Sequence, residues 1–171
     1  MFTFAYKKRR NMVKGYVTLL TVGNLKESYL VSALAEYKKR ISAYMRIEEI
    51  ELKEERLAEE TPACIHAALE AEGDKILAKI PPDAYVVALC VEGKELDSLA
   101  LADKIAEAGQ KSGKIWFIIG SSYGLSPRVK ARADLRLSVS KLTFPHQLMR
   151  VILAEALYRS LTILAGKKYH K

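Results

Sequence analysis

The chain has 171 residues, half of them hydrophobic, and a formal net charge of +8. This length predicts one core and one ordinary domain. No apolar run is long enough to cross a bilayer, so we expect a soluble protein without a membrane partner. The basic balance favours an anionic partner such as RNA, although four of the basic residues lie together in residues 7–10.

The cysteines and histidines do not form a metal-binding pattern. Cys64 and Cys90 are the two cysteines, and the three histidines are His66, His146 and His170. Their spacing matches no zinc motif, so no metal site is predicted. Two unpaired thiols are typical of a reducing compartment, and we therefore expect a cytoplasmic protein.

The first part of the chain predicts an extension followed by a strand and a helix. Residues 1–13 are basic, carry no apolar segment of the kind found in secretory signals, and are predicted to be a flexible N-terminal extension. Residues 14–171 are predicted to form a single domain. Within it, residues 16–22 have the composition of a strand, and residues 25–43 carry apolar side chains at helical spacing.

The middle of the chain continues the alternation of strands and helices. Residues 46–52 alternate isoleucine and leucine with glutamate, which predicts a strand near a sheet edge. Residues 53–61 are charged and lack periodicity, so an exposed loop is expected. Thr61 is predicted to cap a helix that has Pro62 in its first turn and ends near Lys79.

Two apolar runs predict buried parallel strands. Residues 84–91 form the most continuous β-branched run and are predicted to be a central strand, followed by a helix that Asp97 and Ser98 cap and that ends near Gln110. Residues 115–119 predict the next strand. The order of strands and helices indicates an α/β fold, with a mainly parallel sheet and helices on both faces.

Two breaks follow neighbouring strands near the end of the chain. Residues 120–124 contain two glycines and two serines, and residues 141–144 follow a short strand predicted over 135–140. Such breaks at the carboxyl ends of parallel strands are where open α/β sheets bind nucleotide-like ligands, so we predict that both belong to one pocket. Glycine-rich turns after strands are also common as plain connectors, and spacing alone leaves that alternative open.

The last helix, predicted to begin at Pro145, is apolar around most of its circumference between Gln147 and Leu164. Such a helix is buried on two sides. One side can pack on the sheet, and the other is predicted to pack against a second copy of the chain. A central helix in a monomer is the alternative. Glu155 and Arg159 are four residues apart and can form an ion pair.

The C-terminal tail, residues 166–171, combines an aromatic ring, an imidazole and three lysines. These groups suit stacking on a base and binding of phosphate. A frayed chain end is the alternative, and it is favoured when the tail is taken by itself.

Taken together, these features resemble the RlmH family, small SPOUT-class methyltransferases that methylate N3 of a pseudouridine in the helix 69 loop of 23S ribosomal RNA. The resemblance extends over about residues 14–171. It is carried by residues 22–27, 89–94, 119–120, 124–126, 143–150, 155, 157–159 and 169–171.

The resemblance implies a SPOUT-type fold with a C-terminal trefoil knot, a homodimer, and S-adenosyl-L-methionine as methyl donor. It also implies a donor site at the two breaks, in agreement with the pocket predicted from them. The residues of that site would be Leu89, Gly120, Val139, Ser140, Lys141, Leu142, Thr143 and Phe144. Apolar side chains there can enclose the adenine while backbone groups bind its edge.

The residues that the resemblance implies for catalysis would accept a proton, stabilise a negative charge or stack on the base. They are Glu155 and His170 for the N3 proton, Arg150, Arg159 and Lys171 for the anionic base or a phosphate, and Tyr169 for stacking on the flipped nucleotide. In the family the tail of one subunit completes the site of its partner. His146, in the first helical turn, is predicted to orient the loop.

Two departures from the family pattern stand out. Residues 1–13 have no counterpart, and Met12 offers an alternative start. Ser121 stands where the family usually has a second glycine. The serine can tighten the loop, while the backbone amides of the loop stay available. The competing functions are methylation of another RNA such as tRNA, a non-catalytic ribosome-binding factor and, more distantly, a nucleotide-binding protein that does not act on RNA.

Overall fold

The computed structural model of the protein describes Val13 and residues 15–169. The extension predicted over residues 1–13 therefore lies, except for Val13, outside the described residues, and so do His170 and Lys171 of the predicted catalytic set. No helix in the described part of the chain is long and apolar enough to cross a membrane.

Within the described residues, five strands and five helices alternate along the chain. They are β1 (Tyr16–Val22), α1 (Ser28–Ser42), β2 (Arg46–Leu52), α2 (Pro62–Lys79), β3 (Tyr85–Glu95), α3 (Ser98–Lys111), β4 (Lys114–Ile119), α4 (Pro127–Arg132), β5 (Leu135–Ser138) and α5 (His146–Leu164). The predicted alternation is confirmed, and β1 and β2 have the predicted bounds.

The five strands form one sheet in the order β2-β1-β4-β3-β5, and every pair of neighbours is parallel. The predicted parallel sheet is thus confirmed, as is the edge position of residues 46–52. β3 lies inside the sheet but one place from its edge, between β4 and β5. Because all strands run the same way, their carboxyl ends lie along one edge of the sheet.

Both faces of the sheet are covered by helices, which confirms that prediction. One core joins α1, α3 and α5 to the face that carries Leu19, Val87 and Phe117. A smaller core packs Ile76 of α2 and Val129 of α4 on the opposite face. Since both faces are buried, the inner strands read as continuous apolar runs rather than as alternating patterns.

The helix starts follow local side-chain chemistry. Thr61 accepts a hydrogen bond from the backbone N–H of Cys64, and Asp97 accepts one from that of Ala100, so both predicted caps are confirmed. α5 begins at His146 with Pro145 as its N-cap, one residue later than predicted.

The extent of β3 was predicted incorrectly, since the strand continues to Glu95 instead of ending near Val91. Leu89 and Lys94 both pair with Leu137, so the residues between them form a bulge. A Cβ atom added to Gly93 would lie 2.7 Å from the backbone carbonyl carbon of Leu137, which requires glycine there. The polar 92–95 segment is typical of a turn, and only pairing with β5 makes it a strand.

Helix α5 receives much of its cover from within the chain. It packs against α1 and α3, and Leu153, Leu157 and Leu161 are buried. The predicted second cover is therefore supplied in part by these two helices. Packing of α5 against a second copy stays a prediction, as does the trefoil knot.

Candidate active site

A cavity of about 330 Å³ lies at the carboxyl edge of the sheet, where β3, β4 and β5 end. It is lined by residues 119–125 after β4 and by residues of the 137–144 segment that closes β5. The two breaks recognised in the sequence therefore meet in one pocket, as predicted. The strand ends bring them together, because β4 and β5 flank β3 in the sheet.

Seven of the eight residues predicted for the donor site line this cavity. They are Leu89, Gly120, Val139, Ser140, Leu142, Thr143 and Phe144. Lys141, the eighth, is exposed and is not among the lining residues. The lining joins apolar side chains to turns of the main chain, an arrangement suited to a flat heteroaromatic ligand.

The loop of residues 120–124, called here the donor loop, is closed on itself. The Gly124 N–H donates to the Ser121 carbonyl oxygen at 2.9 Å, and Gly124 has a φ of 91°. A Cβ atom added to Gly120 would lie 2.0 Å from the Gly124 carbonyl oxygen. Gly120 is therefore required by the close approach of two backbone segments.

The segment after β5 is held by serine hydroxyls. The Ser138 hydroxyl donates to the Ser140 carbonyl oxygen at 3.0 Å, and the Leu142 N–H donates to the Ser140 hydroxyl at 3.0 Å. Such local side-chain bonds replace strand pairing and turn the chain. They end β5 at Ser138 and leave Leu142 71% exposed at the cavity.

Sequence reasoning did not assign Cys90, Lys130 and Met149 to the cavity, which they also line. Lys130 forms an ion pair with Glu92, and this hydrogen bond lowers the pKa of the Glu92 carboxyl. Burial, followed by the nearby Glu92 charge, raises the pKa of the Cys90 thiol. Lys130 lies on α4, and nothing in its sequence spacing pointed to the cavity.

The first turn of α5 lies against the loop that follows β1. His146 lines the cavity, and its Nε2 atom would lie 3.3 Å from a Cβ atom added to Gly23. The Lys26 N–H donates to the Gln147 side-chain oxygen at 3.0 Å. The predicted role of His146 in orienting the loop before α5 stays a prediction.

Among the described residues, Arg150 is the largest fully buried side chain, with no exposed surface. Its guanidinium donates to the Gly23 carbonyl oxygen at 2.5 Å and to the Glu51 carboxylate. Glu51 also accepts from the Leu25 N–H at 3.2 Å. Arg150 is not among the residues that line the cavity. The structure thus places it inside the fold, tying α5 to β2 and to the end of β1, and its catalytic role stays a prediction.

The remaining described residues of the predicted catalytic set form a group on α5 and the tail. Arg159 pairs with Glu155, as their spacing predicted. The Tyr169 hydroxyl donates to Glu155 at 3.4 Å, and the Arg159 guanidinium lies 5.0 Å from the centre of the Tyr169 ring. The Tyr169 ring also lies 4.8 Å from that of Tyr158. Burial, followed by the Glu155 charge, raises the pKa of Tyr169.

We call Glu155, Tyr158, Arg159 and Tyr169 the tail cluster. None of its members lines the cavity of the same chain. Met149 lines the cavity, and Tyr158 lies nine residues further along α5, which is about 13 Å at the helical rise. The tail cluster therefore begins at Glu155, in the middle of α5, and lies further towards the C-terminal end of the helix than the cavity.

Comparisons with known proteins agree with this architecture. A family model described as "Predicted SPOUT methyltransferase" matches residues 16–170. The chain is 49% identical over 157 residues to the "Ribosomal RNA large subunit methyltransferase H" of Shouchella clausii (strain KSM-K16), covering 91% of this chain and 99% of that relative. The protein of the same name from Bifidobacterium adolescentis is 47% identical over 157 residues, with the same coverage of both chains.

Among solved structures, the chain resembles a probable methyltransferase from Bordetella pertussis Tohama I. The TM-score is 0.52 at 13% sequence identity, and the match covers 88% of this chain and 98% of that structure. At this identity the likeness concerns the fold.

Proposed function

From the premise that the chain belongs to the SPOUT methyltransferase family, we propose that it methylates large-subunit ribosomal RNA with S-adenosyl-L-methionine as donor. The acceptor is N3 of a pseudouridine in the helix 69 loop of 23S ribosomal RNA, as the sequence resemblance implies. The observation that carries the proposal is the cavity at the carboxyl edge, which is lined by seven of the eight residues implied for the donor site.

The cavity fits the donor in size and in kind. Its volume of about 330 Å³ lies at the lower end of the range of about 300–1,000 Å³ for small-molecule sites. Leu89, Leu142 and Phe144 supply apolar surface for the adenine. Glycine at position 120 lets the two backbone segments of the loop meet, and the turns on either side supply main-chain groups for the polar edge of the ligand.

The donor supplies an electrophilic methyl group, which N3 takes by in-line displacement. The work of the protein is to place the base and to accept the N3 proton, which is weakly acidic. Glu155 and His170 are the candidates for that proton. Arg159 and Lys171 stabilise the anionic base or bind phosphate, and Tyr169 stacks on the flipped nucleotide. The burial of Arg150 supports a positioning role, in which it holds Gly23 and Glu51 while the substrate binds elsewhere.

A homodimer brings these two sets of residues together. Within one chain the tail cluster lies further along α5 than the cavity, which supports completion of the site by a tail from a second copy. The cavity rim supports this arrangement, because four of its large apolar side chains are exposed: Val91 by 55%, Tyr123 by 39%, Val139 by 38% and Leu142 by 71%. A second copy would cover such a patch.

The substrate is expected to be the assembled ribosome in the cytoplasm, because a single small domain has little surface with which to select one nucleotide. Net positive charge draws the protein to ribosomal RNA without specifying the site. Selection would then depend on the ribosomal surface around helix 69.

The proposal is tested by incubating the protein and S-adenosyl-L-methionine with ribosomes that lack this modification. The helix 69 fragment is then weighed by mass spectrometry. One added methyl on the pseudouridine is the expected result. Methylation of transfer RNA instead would make the ribosomal assignment wrong. Ribosome binding without any donor binding would indicate a non-catalytic ribosome-binding factor.

A further inference from the structure

Glu72 is a buried carboxylate that has no part in the proposed chemistry. It lies on α2, its residue is 3% exposed, and it does not line the cavity. A buried carboxylate is costly unless hydrogen bonds replace its hydration. The partners of its two oxygens therefore indicate what the side chain holds in place.

One oxygen of Glu72 accepts a hydrogen bond from the Ser121 hydroxyl at 2.8 Å, inside the protein. Ser121 belongs to the donor loop, lines the cavity and is 6% exposed. It directly follows Gly120, whose backbone already touches Gly124. The bond therefore fixes the donor loop at its tightest point.

The other oxygen accepts from the backbone N–H of Glu55 at 3.0 Å. Glu55 lies in the 53–61 loop after β2, where Lys75 of α2 pairs with its carboxylate. Glu72 thus links two loops that are distant in sequence, the 53–61 loop and the donor loop. A charged acceptor makes both of these hydrogen bonds stronger than a neutral one would.

The donor loop has two more links to the 53–61 loop, and both are exposed. The Ser122 hydroxyl donates to Glu54 at 3.3 Å, and the Tyr123 hydroxyl donates to Glu60 at 3.0 Å. Water competes with hydrogen bonds at such positions, so each contributes little. The bond between Glu72 and Ser121 is therefore the contact of the donor loop that water does not weaken.

The backbone of α2 is packed closely enough to bring Glu72 to the loop. A Cβ atom added to the next residue, Gly73, would lie 2.5 Å from the Ser126 hydroxyl oxygen, just after the donor loop. Ser126 also caps α4 by accepting from the Val129 N–H. A larger residue at position 73 would displace the Ser126 side chain, so glycine there favours the close approach of α2 to the start of α4.

We propose that Glu72 is a positioning residue for donor binding, acting through Ser121 to hold the donor loop in its binding conformation. The identity of the donor rests on the proposed function, but the effect on the loop does not. Removing the carboxylate frees the Ser121 hydroxyl and the Glu55 N–H together. Ligand binding then has to order the donor loop, and the entropy lost in ordering it lowers the affinity.

The test uses the full chain and the variants Glu72→Ala, Glu72→Gln and Ser121→Ala, with donor affinity measured by calorimetry. We expect Glu72→Ala and Ser121→Ala each to weaken binding about tenfold, and their combination to weaken it little further. Glu72→Gln is expected to lose only about threefold, because its amide can accept from Glu55 and donate to the Ser121 oxygen. At saturating donor, the turnover of Glu72→Ala and Glu72→Gln should stay unchanged while their donor KM rises.

Glu70→Gln is the matched control. It alters a carboxylate on the same helix that accepts a hydrogen bond from Arg128 at 2.6 Å. Neither residue lines the cavity, so the variant should leave donor affinity unchanged. If Glu72→Ala unfolds the chain, Ser121→Ala and Glu72→Gln still carry the test. Thermal destabilisation of the Glu72 variants with unchanged donor affinity and unchanged donor-loop dynamics would overturn the proposal.

Amide hydrogen exchange across residues 121–124 separates this inference from the proposed function. Faster exchange in Glu72→Ala, but not in Glu70→Gln, supports the positioning role even if the wild-type protein does not bind S-adenosyl-L-methionine. In that case the proposed function would fail and the role of Glu72 in the loop would stand. Equal exchange in all variants would contradict the positioning role whatever the donor is.

Discussion

The cavity and the tail cluster are built in different ways. The cavity is formed by turns of the main chain at three strand ends, where Gly120 and Gly124 approach each other closely. The tail cluster is formed by side chains, and the Tyr169 side chain contacts the ring of Tyr158, the guanidinium of Arg159 and, through a hydrogen bond of 3.4 Å, the carboxylate of Glu155. One chain therefore contains a formed cavity at the proposed donor site, whereas the groups proposed for the acceptor gather elsewhere.

This difference assigns the two proposed functions, donor binding and placement of the acceptor base, to two regions of the chain. Strand ends in a sheet buried on both faces are rigid, which suits a pocket that must exist before its ligand arrives. A tail anchored by a few side-chain contacts can adjust to a partner subunit and to RNA. Donor binding and methyl transfer are thus expected to respond to different substitutions.

Deletion of residues 169–171 should give the largest effect. It removes the ring and the groups proposed for the acceptor, so we expect methylation to fall by about a thousandfold or more. Donor affinity, measured by calorimetry, should stay within about twofold of wild type because the cavity is untouched. A parallel loss of donor binding would show that the two regions are not separate.

Gly120→Ala should have the opposite effect, because it changes the cavity and leaves the tail intact. Its Cβ atom would overlap the Gly124 carbonyl oxygen, at 2.0 Å, so the donor loop must move. We expect donor affinity to fall about a hundredfold, with the tail cluster intact. Calorimetry measures the affinity, and near-ultraviolet circular dichroism of the tyrosines monitors the cluster.

Mixing these two variants, at a donor concentration too low to fill the Gly120→Ala cavity, tests whether the site is shared between subunits. A mixed dimer contains one intact cavity and one intact tail, on different chains. If the tail acts on the partner's cavity, about a quarter of wild-type activity should return after subunit exchange. If each tail serves its own chain, the mixture stays inactive.

Arg150→Met and Arg159→Met compare two arginines on one helix. Arg150 is fully buried and binds the Glu51 carboxylate and the Gly23 carbonyl oxygen. Its replacement leaves these two groups without that partner and should lower the free energy of unfolding by about 3 kcal/mol. The Arg159 pair is about 30% exposed and should cost less than about 1 kcal/mol. Urea denaturation measures both. Equal losses would mean that burial does not distinguish the two positions.

The smallest effect is expected at Glu92, on the cavity rim. The hydrogen bond from Lys130 lowers its pKa, so the stabilisation is present above the ordinary carboxyl pKa and is lost as pH falls through the lowered value. The Glu92 side chain is 55% exposed, so Glu92→Gln should cost less than about 0.5 kcal/mol at neutral pH and nothing in acid. Thermal unfolding at pH 7 and pH 3 tests both statements.

Much of the fold could be predicted from local patterns. β1 and β2 have their predicted bounds, and Thr61 and Asp97 cap the helices assigned to them. The end of β3 could not be predicted, because residues 92–95 have the composition of a turn and become a strand only by pairing with β5. Lys130 reaches the cavity from α4, and no local sequence pattern predicts this contact.

The sequence by itself determined the α/β class, the two breaks that line the cavity, and the family resemblance. These follow from glycine positions, apolar periodicity and motifs, which are properties of neighbouring residues. Only the tertiary structure decided that Arg150 is buried and that Glu72 accepts a hydrogen bond from Ser121 of the donor loop. The tertiary structure also separated the tail cluster from the cavity of its own chain. Such relations depend on which distant segments meet, and that is set by the packing of the whole sheet.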